Sequence, residues 1–281
     1  MGEILQLKKQ LKQLKEENNR SYAENELNEL LDKMLTNIGC VDSELRDHLI
    51  YGMFCKLIMG DNLNSEQLNY ILETCLGENY LLYKIGEKQG DSVFTRSFSS
   101  LVIALLLEKD RLSPFLSEGI GRKAIHESIA YLMKEKDIRG YVEEKGWAHS
   151  VAHGADLLQQ AILHPLFDLN KSSDCFYAIE TCLLKPNVYT DDEDERLIFV
   201  IEAMLEKGVS ENSLQYWISS LSEILEEIHV NEDYLSFYKK KVNVISFMKS
   251  LYFRLNRRNF SNKTLQIIEE VIETWHQKCY Q

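Results

Sequence analysis

The chain of 281 residues is poor in nearly everything that interrupts a helix or announces a chemistry. It has three prolines, Pro114, Pro165 and Pro186, and each falls where a helix is expected to begin or end. Proline inside a helix removes a hydrogen bond and clashes with the preceding turn, so a chain with so few reads as helix after helix. No alternating run of β-branched and aromatic residues bounded by turn residues occurs, and strands are not expected. The longest apolar run, Leu101 to Leu107, is far below the roughly 20 residues that cross a bilayer. Lysines and glutamates break up the N-terminus, which therefore lacks a signal-peptide core. The expected protein is cytoplasmic and does not enter a membrane. Six cysteines are scattered without a CxxC pair, which argues against a disulfide framework or a zinc knuckle. The net charge is −12, and basic residues gather only in short patches such as Arg254 to Arg258, so nucleic acid is not an expected partner. That patch suits a helix C-terminus, where cations favour the dipole. GxSxG, P-loop, GxGxxG and HExxH motifs are all missing, and with them the local signatures of serine hydrolases, nucleotide sites and zinc proteases.

What is present is amphipathic helix. Residues 3–18 carry Ile4, Leu7, Leu11 and Leu14 at heptad spacing, and the pattern stops at Asn18 and Asn19. Two heptads are too few for a stable coiled coil. This segment, residues 1–20, is read as a terminal helix docked on the body or as an arm for self-association into a homodimer. Residues 21–281 are read as a single helical domain. Further helices are expected near 24–38, 43–59, 65–76, 92–109, 118–136, 173–184, 191–207, 211–227, 232–256 and 262–278. Asn64 with Gln67, and Thr190 with Glu193, have the spacing of capping boxes. No repeat of fixed period is visible, which disfavours TPR or ankyrin arrays. The expected fold is all-α, an irregular HEAT-like stack of antiparallel helices forming an α-α superhelix.

One stretch concentrates versatile side chains: DIRGYVEEKGWAHSVAHGADLL, Asp137 to Leu158. On a continuous helix His149, His153, Asp156 and Gln160 fall within roughly 60° of one another. Trp147, Val151, Ala155, Leu158 and Ile162 would form the opposite, apolar side. Gly146, Ala148, Ala152, Gly154 and Ala155 make the element thin, so neighbours can approach closely and its polar groups need buried partners. Arg96, flanked by Thr95, Ser97 and Ser99, and Arg139 are the candidate cations, since a guanidinium clamps a carboxylate or phosphate with two hydrogen bonds. Internal ion pairs, Arg139 with Asp156 or Arg96 with Asp91, are the competing use. Histidines at i and i+4 also suit a divalent metal such as zinc. Asp156 lies about 10.5 Å along the axis from His149, so a further ligand would have to come from Asp91, Asp137 or the acidic run Asp191 to Glu195. That run is otherwise explained as the negatively charged start of a helix.

The segments DSVFTRSFSSLVIALLLEKDR (Asp91 to Arg111), DIRGYVEEKGWAHSVAHGADLL and TDDEDERL (Thr190 to Leu197) resemble the bacterial family known as domain of unknown function 2785. The resemblance covers most of residues 45–210. It implies an all-helical cytoplasmic bacterial protein and brings no activity with it. The residues themselves support two readings. In the first, the protein is a binding or scaffold module whose pocket, formed by Arg96, Arg139, Trp147, His149, His153 and Asp156, takes a small anionic ligand or a peptide. In the second, it is a metal-dependent hydrolase in which His149 and His153 hold the ion.

Overall fold

A computed structural model describes residues 2–16, 24–258 and 260–280. Twelve α-helices account for most of the described residues, in the order α1 Gly2–Glu16, α2 Glu24–Thr36, α3 Gly52–Met59, α4 Ser65–Cys75, α5 Ser92–Leu112, α6 Glu118–Lys134, α7 Ser150–Leu163, α8 Ser172–Leu183, α9 Glu193–Glu206, α10 Glu211–Asn231, α11 Tyr234–Arg257 and α12 Asn262–Tyr280. The fold is all-α, as the scarcity of breakers predicts. All three prolines lie outside helices. Asn64 caps α4 with the full reciprocal box to Gln67. Thr190 does not cap α9; its hydroxyl pairs with Asp191 instead, and the Glu193 carboxylate accepts from the Asp191 N–H.

The helices stack by a simple rule from α5 onward. α5 packs on α7, α7 on α9 and α9 on α11, while α6 packs on α8 and α10 on α12. Each of these helices except α8 thus packs on the helix two later, which is how helical hairpins add in a HEAT-like array. α5 is apolar or uncharged on nearly every face and is buried almost throughout, as expected of a helix with neighbours on all sides. α7 lies against it, and at Gly154 a β-carbon would come within 2.6 Å of the Tyr131 ring and 2.7 Å of Leu132. The small residues therefore do let α6 and α7 approach closely.

One connected hydrophobic core runs from Leu7 in α1 to Trp275 in α12. α1 is docked: Leu7, Leu11 and Leu14 are buried and Ile4 stays half exposed. Lys8 pairs with Asp42 and Glu44, Lys12 pairs with Glu44, and Lys56 donates to the Leu14 carbonyl. The boundary expected near residue 20, with Asn18 and Asn19, lies outside the described residues.

Two departures from the expected helices bear on the site. Residues Glu44–Tyr51 form a π-helix that runs straight into α3. The stretch before α7 is a small antiparallel hairpin, β1 Tyr141–Val142 and β2 Gly146–Trp147, with Tyr141 opposite Trp147. No alternating pattern announces strands this short. Gly146 turns through φ +77°, and a β-carbon there would meet Ser43 at 2.6 Å, so only glycine fits.

Candidate functional site

The site forms where the hairpin, the π-helix, α5, α7 and the start of α9 converge. The anticipated helix does not begin before Ser150, and His149 occupies its N-cap position in the left-handed region, at φ 44° and ψ 37°. The hairpin forces this corner. The His149 N–H donates back to the Arg139 carbonyl at 3.1 Å, while the His149 carbonyl already accepts the first helical bond from His153 at 2.8 Å. A histidine in this conformation is strained and is tolerated only where its surroundings fix it. Trp147, expected on the apolar side of a helix, is instead on β2 and 40% exposed. It stacks on His149 at 4.2 Å between ring centroids, and Tyr141 meets its edge at 5.0 Å.

His149 and His153 do come together, edge to face, with centroids 5.6 Å apart. His153 continues inward to Phe98 at 5.3 Å, and Phe98 to Tyr51 at 6.3 Å. Both imidazoles are held in the neutral form. Burial lowers the His149 pKa, against the pull of Asp191 and its backbone, and burial drives that of His153 well down, with His149, Arg196 and Arg46 adding to the effect. The Asp191 backbone beside the His149 ring and the Ser97 backbone beside that of His153 pull the other way, toward the charged form. In a neutral imidazole one nitrogen donates and the other accepts. His149 Nε2 and His153 Nδ1 are buried and have no hydrogen-bond partner. Each ring thus keeps one nitrogen that can accept from or donate to an occupant, according to its tautomer.

Asp156 points to the same face of α7, and burial pushes its carboxyl up to about 6 against the opposing pull of Arg196. The partner is Arg196 of α9, whose Nη1 donates to Asp156 Oδ1 at 2.6 Å, and not Arg139. With 43% of its side chain exposed, Arg196 reaches from the site toward solvent. Gln160, one turn further, has an Oε1 buried without a partner.

The two arginines nominated from sequence are engaged elsewhere. Arg96 is fully buried and forms a two-pronged pair with Glu135, Nε to Oε2 at 2.7 Å and Nη2 to Oε1 at 3.0 Å. Its Nη1 donates to the Tyr83 carbonyl and the Ser92 hydroxyl. Arg139 clamps Asp137 through Nε and Nη2 and donates to the Gly90 carbonyl at 2.7 Å. Asp91, the other suggested partner, pairs with Lys145. These bonds form a scaffold behind the site. Glu135 Oε1 accepts from the N–H groups of Lys136 and Asp137, and the Ser150 hydroxyl donates to the Asp137 carbonyl. The loop that enters the hairpin is thereby fixed at both ends.

Sequence reading missed Arg46, Asp47, Tyr51 and Arg196. Arg46 is wholly buried, lies over the Phe94 and Phe98 rings at 4.2 and 4.8 Å, and donates to the carbonyls of Cys40 and Lys145. It pins the hairpin to the π-helix, and its Nε lies 2.8 Å from Asp47. π-Helical turns are rare and gather at functional sites because the extra residue re-aims side chains. Nothing in the sequence marks this one. Phe94 and Phe98, four apart on α5, were the available hint of a face made for a cation. Arg196 was visible as the base that follows an acidic run. Among the described residues no group of three or more His, Cys, Asp or Glu is placed to hold a metal ion.

Fold and geometry together define a helical-array protein with a cluster of polar side chains beside a β-hairpin. The model of the family described as Protein of unknown function (DUF2785) matches residues 81–253, which contain α5 to α10, most of α11, the hairpin and both histidines. The chain belongs to that family. The match extends further toward the C-terminus than the motifs quoted above. No curated protein and no solved structure matches the chain.

Proposed function

We propose that the protein is a binding module that holds a small anionic molecule, or the acidic end of a peptide, between Arg196, Trp147 and the His149–His153 pair. The observation that carries this reading is the pair of buried ring nitrogens without partners. A buried polar atom left unpaired costs about 1–3 kcal/mol, and two on one face, with Gln160 Oε1 beyond them, call for an occupant that brings hydrogen-bonding groups. Arg196 and Arg46 act on His153 as positive charges while Asp191 and Asp192 act on His149 as negative ones, and the part-exposed guanidinium of Arg196 is the cation offered to an acidic group on the occupant. A hydroxy acid, an amino acid or a peptide end combines the two: its carboxylate faces the free edge of Arg196, and its O–H or N–H groups face the imidazoles. Arg96 and Arg139 support the site from behind without touching the ligand.

Calorimetry on the full chain with lactate, malate, glycine, a diglycine peptide and inorganic phosphate tests this, together with ¹⁵N chemical shifts of the histidine rings. Binding that moves the His149 Nε2 and His153 Nδ1 resonances and is lost in Arg196→Ala supports the reading. Ring shifts indifferent to every one of these compounds would sink it.

The rival reading, a hydrolase whose metal is held by His149 and His153, draws on the same nitrogens, since a ligating histidine commonly donates its other N–H to a backbone carbonyl. It lacks a third ligand among the described residues. Elemental analysis of protein purified without added metal separates the two: zinc near one per chain, lost on mutating both histidines, favours the hydrolase. Self-association through α1 is compatible with either reading and is read by light scattering.

A further inference from the structure

A second site lies away from the histidines, where the stacking rule breaks. In the layer formed by the even-numbered helices, α6 packs on α8 and α10 on α12, but α8 and α10 are not among the closely packed pairs. They meet through Phe176 and Trp217, stacked at 5.0 Å. Above this floor is an open groove of about 510 Å³.

α8 lines it with Ser172, Ser173, Phe176, Tyr177 and Glu180, and α10 with Asn212, Ser213, Tyr216, Trp217 and Ser220. Tyr177 and Tyr216 stand on the rims, 57% and 79% exposed. No lysine or arginine lines the groove, and Glu180 is its one ionisable carboxylate. The Trp217 Nε1–H is buried without an acceptor.

We infer that this groove binds an extended, proline-bearing peptide segment with a basic residue at the Glu180 end. Aromatic rims over an aromatic floor fit the flat faces of a polyproline II helix, and such a helix has no internal hydrogen bonds, so its carbonyls need donors. The groove supplies donors at the Ser173 hydroxyl and the Asn212 amide. The separation from Ser172 to Glu180, eight residues at 1.5 Å of rise each, is about 12 Å. That is the length of about four residues of polyproline II at 3.1 Å each. A lone carboxylate at the far end, in a protein of net charge −12, selects a cation over an anion.

The test is fluorescence anisotropy of a labelled synthetic peptide of alternating proline and leucine with one terminal arginine, titrated with the full chain. Binding is expected to weaken roughly tenfold in Tyr216→Ala and in Tyr177→Ala, both on exposed rims where folding is not at stake. Glu180→Gln should weaken the arginine peptide and leave a version with glutamine in its place unchanged. The inference is overturned if the peptide does not bind, if it binds the Tyr177→Ala/Tyr216→Ala double variant as well as the wild type, or if an alanine-rich helical peptide of equal charge binds equally. Displacement of the peptide by tetramethylammonium alone, with affinity equal to that of the peptide, would also overturn it in favour of a small-cation site.

Discussion

Replacing Arg96 by methionine is the sharpest probe of whether this arginine belongs to the scaffold or to the ligand. The guanidinium makes two bonds to Glu135 and one each to Tyr83 and Ser92, all between 2.7 and 3.0 Å, and neither Arg96 nor Glu135 exposes any of its side chain. Removing it strands a carboxylate that water does not reach. Breaking a buried pair in this way costs about 3–5 kcal/mol. The Lys136 and Asp137 N–H groups still donate to Glu135, which places the loss at the lower end, about 3 kcal/mol. With a urea slope of about 3 kcal/mol per molar, the unfolding midpoint should fall by about 1 M. Glu135→Leu alone should cost a similar amount, because it leaves a buried cation. The double variant Arg96→Met/Glu135→Leu removes both charges and should be more stable than the sum of the singles by well over 1 kcal/mol. Urea unfolding of the four proteins completes the cycle. Singles within about 0.5 kcal/mol of wild type, or a double equal to their sum, would refute the buried pair and return Arg96 to the list of residues free to meet a ligand.

Three further predictions concern the site itself. His149→Gly should be more stable to urea than His149→Ala by about 1 kcal/mol, because both lack the imidazole and glycine alone is at ease at φ 44°; an alanine variant equal to the glycine variant would disprove the strained corner. Asp156, raised from 3.8 to about 6, is protonated more readily in the folded state, so it adds stability that is complete below pH 3.8 and lost as pH rises through 6. Between pH 5 and 7 the wild type should lose about 1 kcal/mol that Asp156→Asn does not, and since the opposing slope from the depressed histidines is common to both proteins, parallel curves would contradict the assignment. Gly146→Ala, which needs both φ +77° and space already held by Ser43, should destabilise by roughly 2 kcal/mol and change the fluorescence of Trp147, an outcome a silent substitution would exclude.

Much of the fold was legible because helices are governed by local terms. Proline scarcity, the Asn64–Gln67 capping box and the 3.6-residue periodicity act over one or two turns, and each of the ten helices expected after residue 20 and outside the histidine stretch has a counterpart. The one expected over 43–59 begins as a π-helix. The thin faces of Ala152, Gly154 and Ala155 also spoke for themselves, since small side chains permit close packing wherever the partner comes from. The pairing of His149 with His153 was visible in their spacing, although the geometry behind it was wrong: a left-handed corner after a hairpin brings the rings together, where an unbroken helix was expected.

Which arginine serves which carboxylate was decided by tertiary structure alone. Glu135 claims Arg96, Asp137 claims Arg139 and Arg196 takes Asp156, because ion pairing depends on distances between segments that are 39 or 40 residues apart or on a turn that points a side chain back two residues. Composition lists the charges, and only the packed helices say which of them meet. The π-helix that delivers Arg46, and the gap between α8 and α10, belong to the same category: both arise where neighbouring helices fix a register that no local pattern encodes.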